Sequence, residues 1–167
     1  MANTALKAVS KNAKVDTGIS DEDRKEIAGK LEEALADSYI LYLKTLGVHW
    51  NVVGPAFYSL HKLTEEQYND LHAAIDAIAE RIRSLGQIAP ASFGEFAKTS
   101  ELESAAIPKS ADKMVEALIA DNEAIAKRLR DSVEIADGFG DVFTADMLTA
   151  RIGQHEENVW MLRSMSS

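Results

Sequence analysis

Apolar residues recur along this chain at spacings of three and four and nowhere alternate singly over a useful length, so the pattern predicts helices rather than strands. The first run passes through Ile27, Leu31, Leu35, Ser38, Leu41 or Tyr42, Thr45, and Val48 or His49. Ser20, with Asp23 three residues on, forms a variant capping box ahead of it, which predicts a helix over about Asp21 to Asn51. Gly54-Pro55 then supplies a breaker and a proline suited to a helix start, and a second pattern covers Ala56 to Leu85, closed by Gly86. From Gln87 to Lys109 two prolines, Gly94 and several serines interrupt the period, so this stretch reads as a long connection with a short helix around Phe93 to Lys98. Ser110 caps a third pattern, Met114, Leu118, Ile125, Leu129 and Val133, which ends at the turn Asp137-Gly138-Phe139-Gly140. Asp141 or Thr144 caps a fourth, with Met147, Leu148, Ile152, Val159 and Leu162, running almost to the end. A tight, a long and a tight connection between four helices predict an all-α four-helix bundle with one crossover.

Length and charge refine that picture. A chain of 167 residues that is 46% hydrophobic supports one domain with a sizeable core. Residues 1–18 are small, polar and basic without a sustained period, so they read as a mobile tail ahead of a bundle over residues 19–167. No window approaches the roughly 20 apolar residues of a membrane span, and the N-terminus lacks an apolar run before a cleavage-like site, so a cytoplasmic protein is expected. The absence of cysteine removes disulfides and thiolate metal sites and leaves His, Asp, Glu, carbonyls and water for any metal. The net charge of -9 argues against a generally basic nucleic-acid-binding surface, although residues 1–15 carry Lys7, Lys11 and Lys14 and no acid.

The candidate chemistry lies between His49 and Gly86. Asp76 and Glu80, four apart on the second helix, project from one face about 6 Å from each other and can chelate one ion, although such a pair is also ordinary on a solvated helix. His72 lies one turn earlier on that face. His49 and His61 flank the first helix break, where a hairpin brings them near one another. Fifteen residues of continuous helix separate His61 from Asp76 by roughly 22 Å, so one chain cannot place both on one metal. Either the groups are unrelated, or the second helix meets its own copy antiparallel across a two-fold axis, which forms two sites at once. Di-iron bundles of the ferritin-like type use Glu-x-x-His pairs within one chain, but Leu46, Tyr58, Asn69 and Ile152 stand three residues before the four histidines. That intrachain design is absent here.

The segments HWN (His49 to Asn51), GPAFYSLH (Gly54 to His61) and IDAIAERIRSLG (Ile75 to Gly86), together with the acidic start of the fourth helix and the closing HEENVWML (His155 to Leu162), resemble the Dps family of starvation-induced mini-ferritins. The resemblance implies a ferritin-like bundle assembled as a hollow homo-dodecamer that oxidises Fe(II) to Fe(III), preferentially with hydrogen peroxide, and stores ferric mineral. It implies His49 and His61 as iron ligands from one subunit and Asp76 and Glu80 as ligands from its two-fold partner. Glu65 stands where the family usually has an aspartate near the same centre. Trp50 matches a tryptophan close to the iron, with interface packing as its alternative. Asp141 and Asp146 match acids lining the three-fold pore through which iron enters, with helix capping as the local alternative. His72 has no counterpart. The competing function is nucleoid binding: in many members a lysine-bearing tail binds DNA, and Lys7, Lys11 and Lys14 fit that pattern. Twelve weak, salt-sensitive tails can act together where one would not.

Overall fold

The computed structural model describes residues 15–165, so the three tail lysines lie outside the described residues. It contains α1 (Asp21–Asn51), α2 (Phe57–Ser84), the short α3 (Phe93–Thr99), α4 (Ala111–Gly138) and α5 (Val142–Met165), with no strand among the described residues. This is the expected all-α, ferritin-like bundle, with α3 inside the crossover.

Local chemistry explains the ends. The Ser20, Ser92 and Ser110 hydroxyls accept the amides of Asp23, Glu95 and Lys113, capping α1, α3 and α4. The start of α2 differs slightly from expectation. Ala56 has no side-chain acceptor, so a backbone turn precedes the helix and the Phe57 amide donates to the Gly54 carbonyl. At the other end of α2, Gly86 adopts φ 87° and the Gln87 amide donates back to the Ile82 carbonyl at 3.2 Å. Gly140, φ 75°, repeats the device after α4, where the Asp141 amide reaches the Ala136 carbonyl at 2.8 Å. Both are left-handed positions where a side chain would be strained.

The apolar stripes meet in one core that includes Ile27, Leu31, Leu35 and Leu41 of α1, Leu60, Leu71, Ile78 and Ile82 of α2, Leu118, Ile125 and Leu129 of α4, and Leu148 and Leu162 of α5. Cross-links set the directions. Arg128 of α4 pairs with Glu33 and Asp37 of α1, and Lys44 of α1 pairs with Asp121, so these helices run antiparallel. Arg151 of α5 clasps Asp70 of α2, and Arg81 reaches Thr144, so these do too. With α1–α2 and α4–α5 joined as hairpins, α2 and α4 must run parallel, and residues 85–110 return along the bundle's length. The buried Asp37 ties this crossover down, accepting from the Ser100 hydroxyl, the Glu101 amide and Arg128. Gly47 lets the same connection pass close, because a Cβ there would run into the Ile107 side chain. No helix among the described residues is long and apolar enough to cross a membrane.

Candidate metal centre

The α1–α2 hairpin brings His49, in the last turn of α1, against His61, in the first turns of α2. Their rings stack with centroids 3.8 Å apart and planes 16° from parallel. His49 Nδ1 donates to the His61 carbonyl at 2.9 Å, and His61 Nδ1 donates to the His49 carbonyl at 3.0 Å. A carbonyl can only accept, so each Nδ1 must carry hydrogen and each neutral ring keeps its lone pair on Nε2. Neither Nε2 has a hydrogen-bond partner among the described residues. Backbone acceptors that hold one imidazole nitrogen in place are the arrangement metal-binding histidines require. Tyr68 meets the His49 ring edge-on at 5.1 Å and Phe57 stacks on His61 at 5.2 Å, so the pair is braced on both sides. Periodicity alone does not reveal these contacts, although Tyr68, seven residues after His61, shares its helical stripe.

Glu65 lies one turn beyond His61. Its carboxylate accepts from Lys62 at 2.6 Å, and that hydrogen bond, with the lysine charge and smaller effects of His49 and His61, holds its pKa below the usual value. Trp50 is 65% exposed beside the histidines, and Val53, Phe57 and Tyr58 are exposed nearby. This is a large apolar area for a surface.

Asp76 and Glu80 are exposed on the far half of α2. The helix between His61 and Asp76 is unbroken, so the roughly 22 Å separation stands. Among the described residues no three His, Asp or Glu side chains converge within the chain as a metal site. The structure therefore contains two groups of ligand types on one rod, a histidine pair near one end and a carboxylate pair nearer the other.

The two acids at the start of α5 are placed differently. Asp141 is buried, and its carboxylate accepts two hydrogen bonds from Arg81, at 2.7 and 2.8 Å, and others from the Thr144 amide and hydroxyl. Burial acts to raise its pKa, but the Arg81 and Thr144 hydrogen bonds and the arginine charge outweigh burial and hold it below the ordinary carboxylate value. Asp141 thus caps α5. Asp146 is exposed, near the exposed Val142 and Phe143.

His155, outside the candidate centre, is buried with Nδ1 2.8 Å from Asn122 Oδ1. Burial foremost, and the Arg151 charge next, push its pKa down to about 3 against a smaller opposing effect of Asp70. It belongs to the core.

Comparison with known proteins gives consistent results. A ferritin-like domain model matches residues 28–167. A low temperature-induced protein of Nostoc is 46% identical over 153 residues, covering 90% of this chain and 86% of the relative. A DNA protection during starvation protein 2 of Bacillus anthracis is 36% identical, over 84% of this chain and 96% of the relative. The crystal structure of a Dps protein from Vibrio cholerae, described as a member of a broad superfamily of ferritin-like diiron-carboxylate proteins, superposes with a TM-score of 0.87 at 28% identity, covering 95% of this chain and all of that one.

Proposed function

The chain belongs to the Dps family of ferritin-like proteins, and from that membership we propose that it is a ferroxidase whose centres are shared between subunits of a homo-dodecamer. Iron storage and protection are the general role it shares with that family. His49 and His61 of one subunit, with Asp76 and Glu80 of its two-fold partner, bind Fe(II) as substrate, and Glu65 lies beside them. The observation that carries this reading is the reciprocal clasp of His49 and His61, which leaves both Nε2 atoms for a metal while the matching carboxylates lie too far along the same helix to reach it. Two copies of α2 meeting antiparallel bring each histidine pair to a carboxylate pair. The exposed Trp50, Val53 and Tyr58 supply apolar surface for that contact.

The donor set suits the chemistry. Imidazole nitrogen and carboxylate oxygen accept a borderline divalent ion, and carboxylates favour Fe(III) once an electron has left. Hydrogen peroxide is the preferred oxidant in this reading. One peroxide takes an electron from each of two Fe(II) ions and, with two protons, leaves as two water molecules, so no hydroxyl radical is released. Asp146 supports iron entry with an exposed carboxylate, whereas Asp141 supports it by fixing the start of α5.

Double replacement Asp76→Asn with Glu80→Gln is expected to lower peroxide-driven Fe(II) oxidation more than about a hundredfold, beyond the loss usual for residues that only support a ligand. Native mass measurement should still give a dodecamer. Oxidation at the wild-type rate would remove these residues from the site, and an active monomer would remove the shared centre.

A second reading concerns DNA. The Bacillus anthracis relative is named for DNA protection, and Lys7, Lys11 and Lys14 place positive charge on a tail attached to an acidic body. In this reading the protein is cytoplasmic and joins the nucleoid through many weak tail contacts that salt disrupts.

A further inference from the structure

His72 is the one histidine that neither the core nor the proposed centre uses. It is exposed on α2, four residues before Asp76, and makes no hydrogen bond among the described residues. Its only ring neighbour there is Tyr42, with centroids 6.1 Å apart. His72 and Asp76 share the wall of a cavity of about 690 Å3 that Tyr39, Tyr42, Phe93 and Phe96 also line. Room for a ligand therefore lies beside both.

Helix geometry relates His72 to the other site residues. At about 100° per residue, His61, Glu65, His72 and Asp76 fall within an arc of roughly 60° on α2, so they form one narrow stripe. When two copies of a helix meet antiparallel across a two-fold axis, a step toward the C-terminus on one faces a step toward the N-terminus on the other. The shared centre sets His61 against the partner's Asp76 and the partner's Glu80. One turn onward from His61 is Glu65, and one turn back from that facing pair are the partner's His72 and the partner's Asp76. Glu65 and the partner's His72 therefore face each other about 6 Å closer to the axis than the first ligand group.

We propose that His72 is a further metal ligand of the shared centre, supplying a nitrogen opposite Glu65 of the other subunit to a second divalent ion held beside the first, with Asp76 between the two ions. The inference rests on the shared-centre reading above. A carboxylate, an imidazole and a second carboxylate are a sufficient hard-to-borderline donor set for Fe(II), Co(II) or Zn(II). Lys62, which holds Glu65 in the single chain, is half exposed and gives up a surface ion pair at little cost. Asp76 serves both ions, and the exposed His72 side chain is explained without a role in folding.

The test is anaerobic Co(II) titration of the assembled full-length protein, followed by calorimetry and by the hyperfine-shifted N–H resonances of cobalt-bound imidazoles. Wild type should bind in two steps. His72→Ala should weaken the second step about tenfold or more and lose one shifted imidazole signal while the first step persists. His72→Asp should recover the second step, because a carboxylate can ligate, whereas a residue needed only for packing would not be rescued this way. An unchanged second step and an unchanged signal count in His72→Ala overturn the proposal while His61→Ala and Asp76→Asn still abolish the first step. Loss of neither step in His61→Ala and Asp76→Asn overturns the shared centre itself, and His72's place in it.

Discussion

Asp141 offers the sharpest quantitative test, because three roles meet on one buried residue. Its backbone amide closes α4, its side chain opens α5, and its two oxygens pair with Arg81 of α2. Asp141→Ala removes the cap, worth about 1 kcal/mol, and leaves the Arg81 guanidinium without its acid. Breaking a fully buried pair costs about 3–5 kcal/mol, but the Arg81 side chain is 18% exposed and keeps Ser84 Oγ and the Phe143 ring as neighbours, so about 2 kcal/mol is expected from this part. The expected loss is then about 3 kcal/mol, or a fall in Tm of about 6–12 °C for a chain of this size. Asp141→Asn, which retains the cap and a neutral bond to Arg81, should lose about 1 kcal/mol.

The assay is urea unfolding at fixed protein concentration, since assembly couples to stability. Because the folded pKa of Asp141 is depressed, the advantage of wild type over Asp141→Asn should be fully present above the unfolded value near 3.9 and shrink as pH falls through the lower folded value. An Asp141→Ala variant within about 1 kcal/mol of wild type would refute the view that this pair holds α2 to the start of α5.

Other expectations separate the remaining residues. Asp146→Asn should slow iron uptake into the shell while leaving urea stability within about 0.5 kcal/mol of wild type, as befits an exposed acid; equal uptake rates by stopped-flow absorbance would remove Asp146 from the route. Deleting residues 1–15 should abolish DNA retardation in a low-salt gel without changing the ferroxidase rate, and undiminished retardation would exclude the tail as the binder. His155→Gln should flatten the stability profile between about pH 6 and pH 4. Its folded pKa of about 3 lies below the unfolded value near 6.5, so the unfolded chain binds the extra proton and wild-type stability, complete above that value, falls as pH drops toward 3. A wild-type profile identical to that of the variant would contradict that assignment.

Much of this molecule was readable along the chain. The capping box and apolar period predict the first helix over Asp21 to Asn51, it spans those residues, and Ile27, Leu31, Leu35, Ser38, Thr45 and Val48 are all buried on it. Ser20, Ser110, Gly86 and Gly140 mark the helix ends by chemistry that acts within a few residues, so a local reading suffices. The ligand types at His49, His61, Asp76 and Glu80, and the impossibility of joining them within one chain, follow from residue identity and helix rise alone. The start of α2 was less legible, because Ala56 caps nothing and the turn is held by backbone bonds.

Residue order therefore accounts for features that are periodic and local: where the helices run, which stripes are apolar and which side chains can bind metal. Which nitrogen each histidine presents is set by packing instead, because it depends on the carbonyl of a residue on the facing helix. Packing likewise turns Asp141 inward to Arg81 while Asp146 stays outside, anchors the crossover on Asp37 through Ser100 and Arg128, and makes His155 a core residue bonded to Asn122. The difference is one of range. Caps and periods involve atoms within one or two helical turns, whereas a buried polar group takes whatever partner the packed helices bring to it from tens of residues away, and burial makes that partner obligatory.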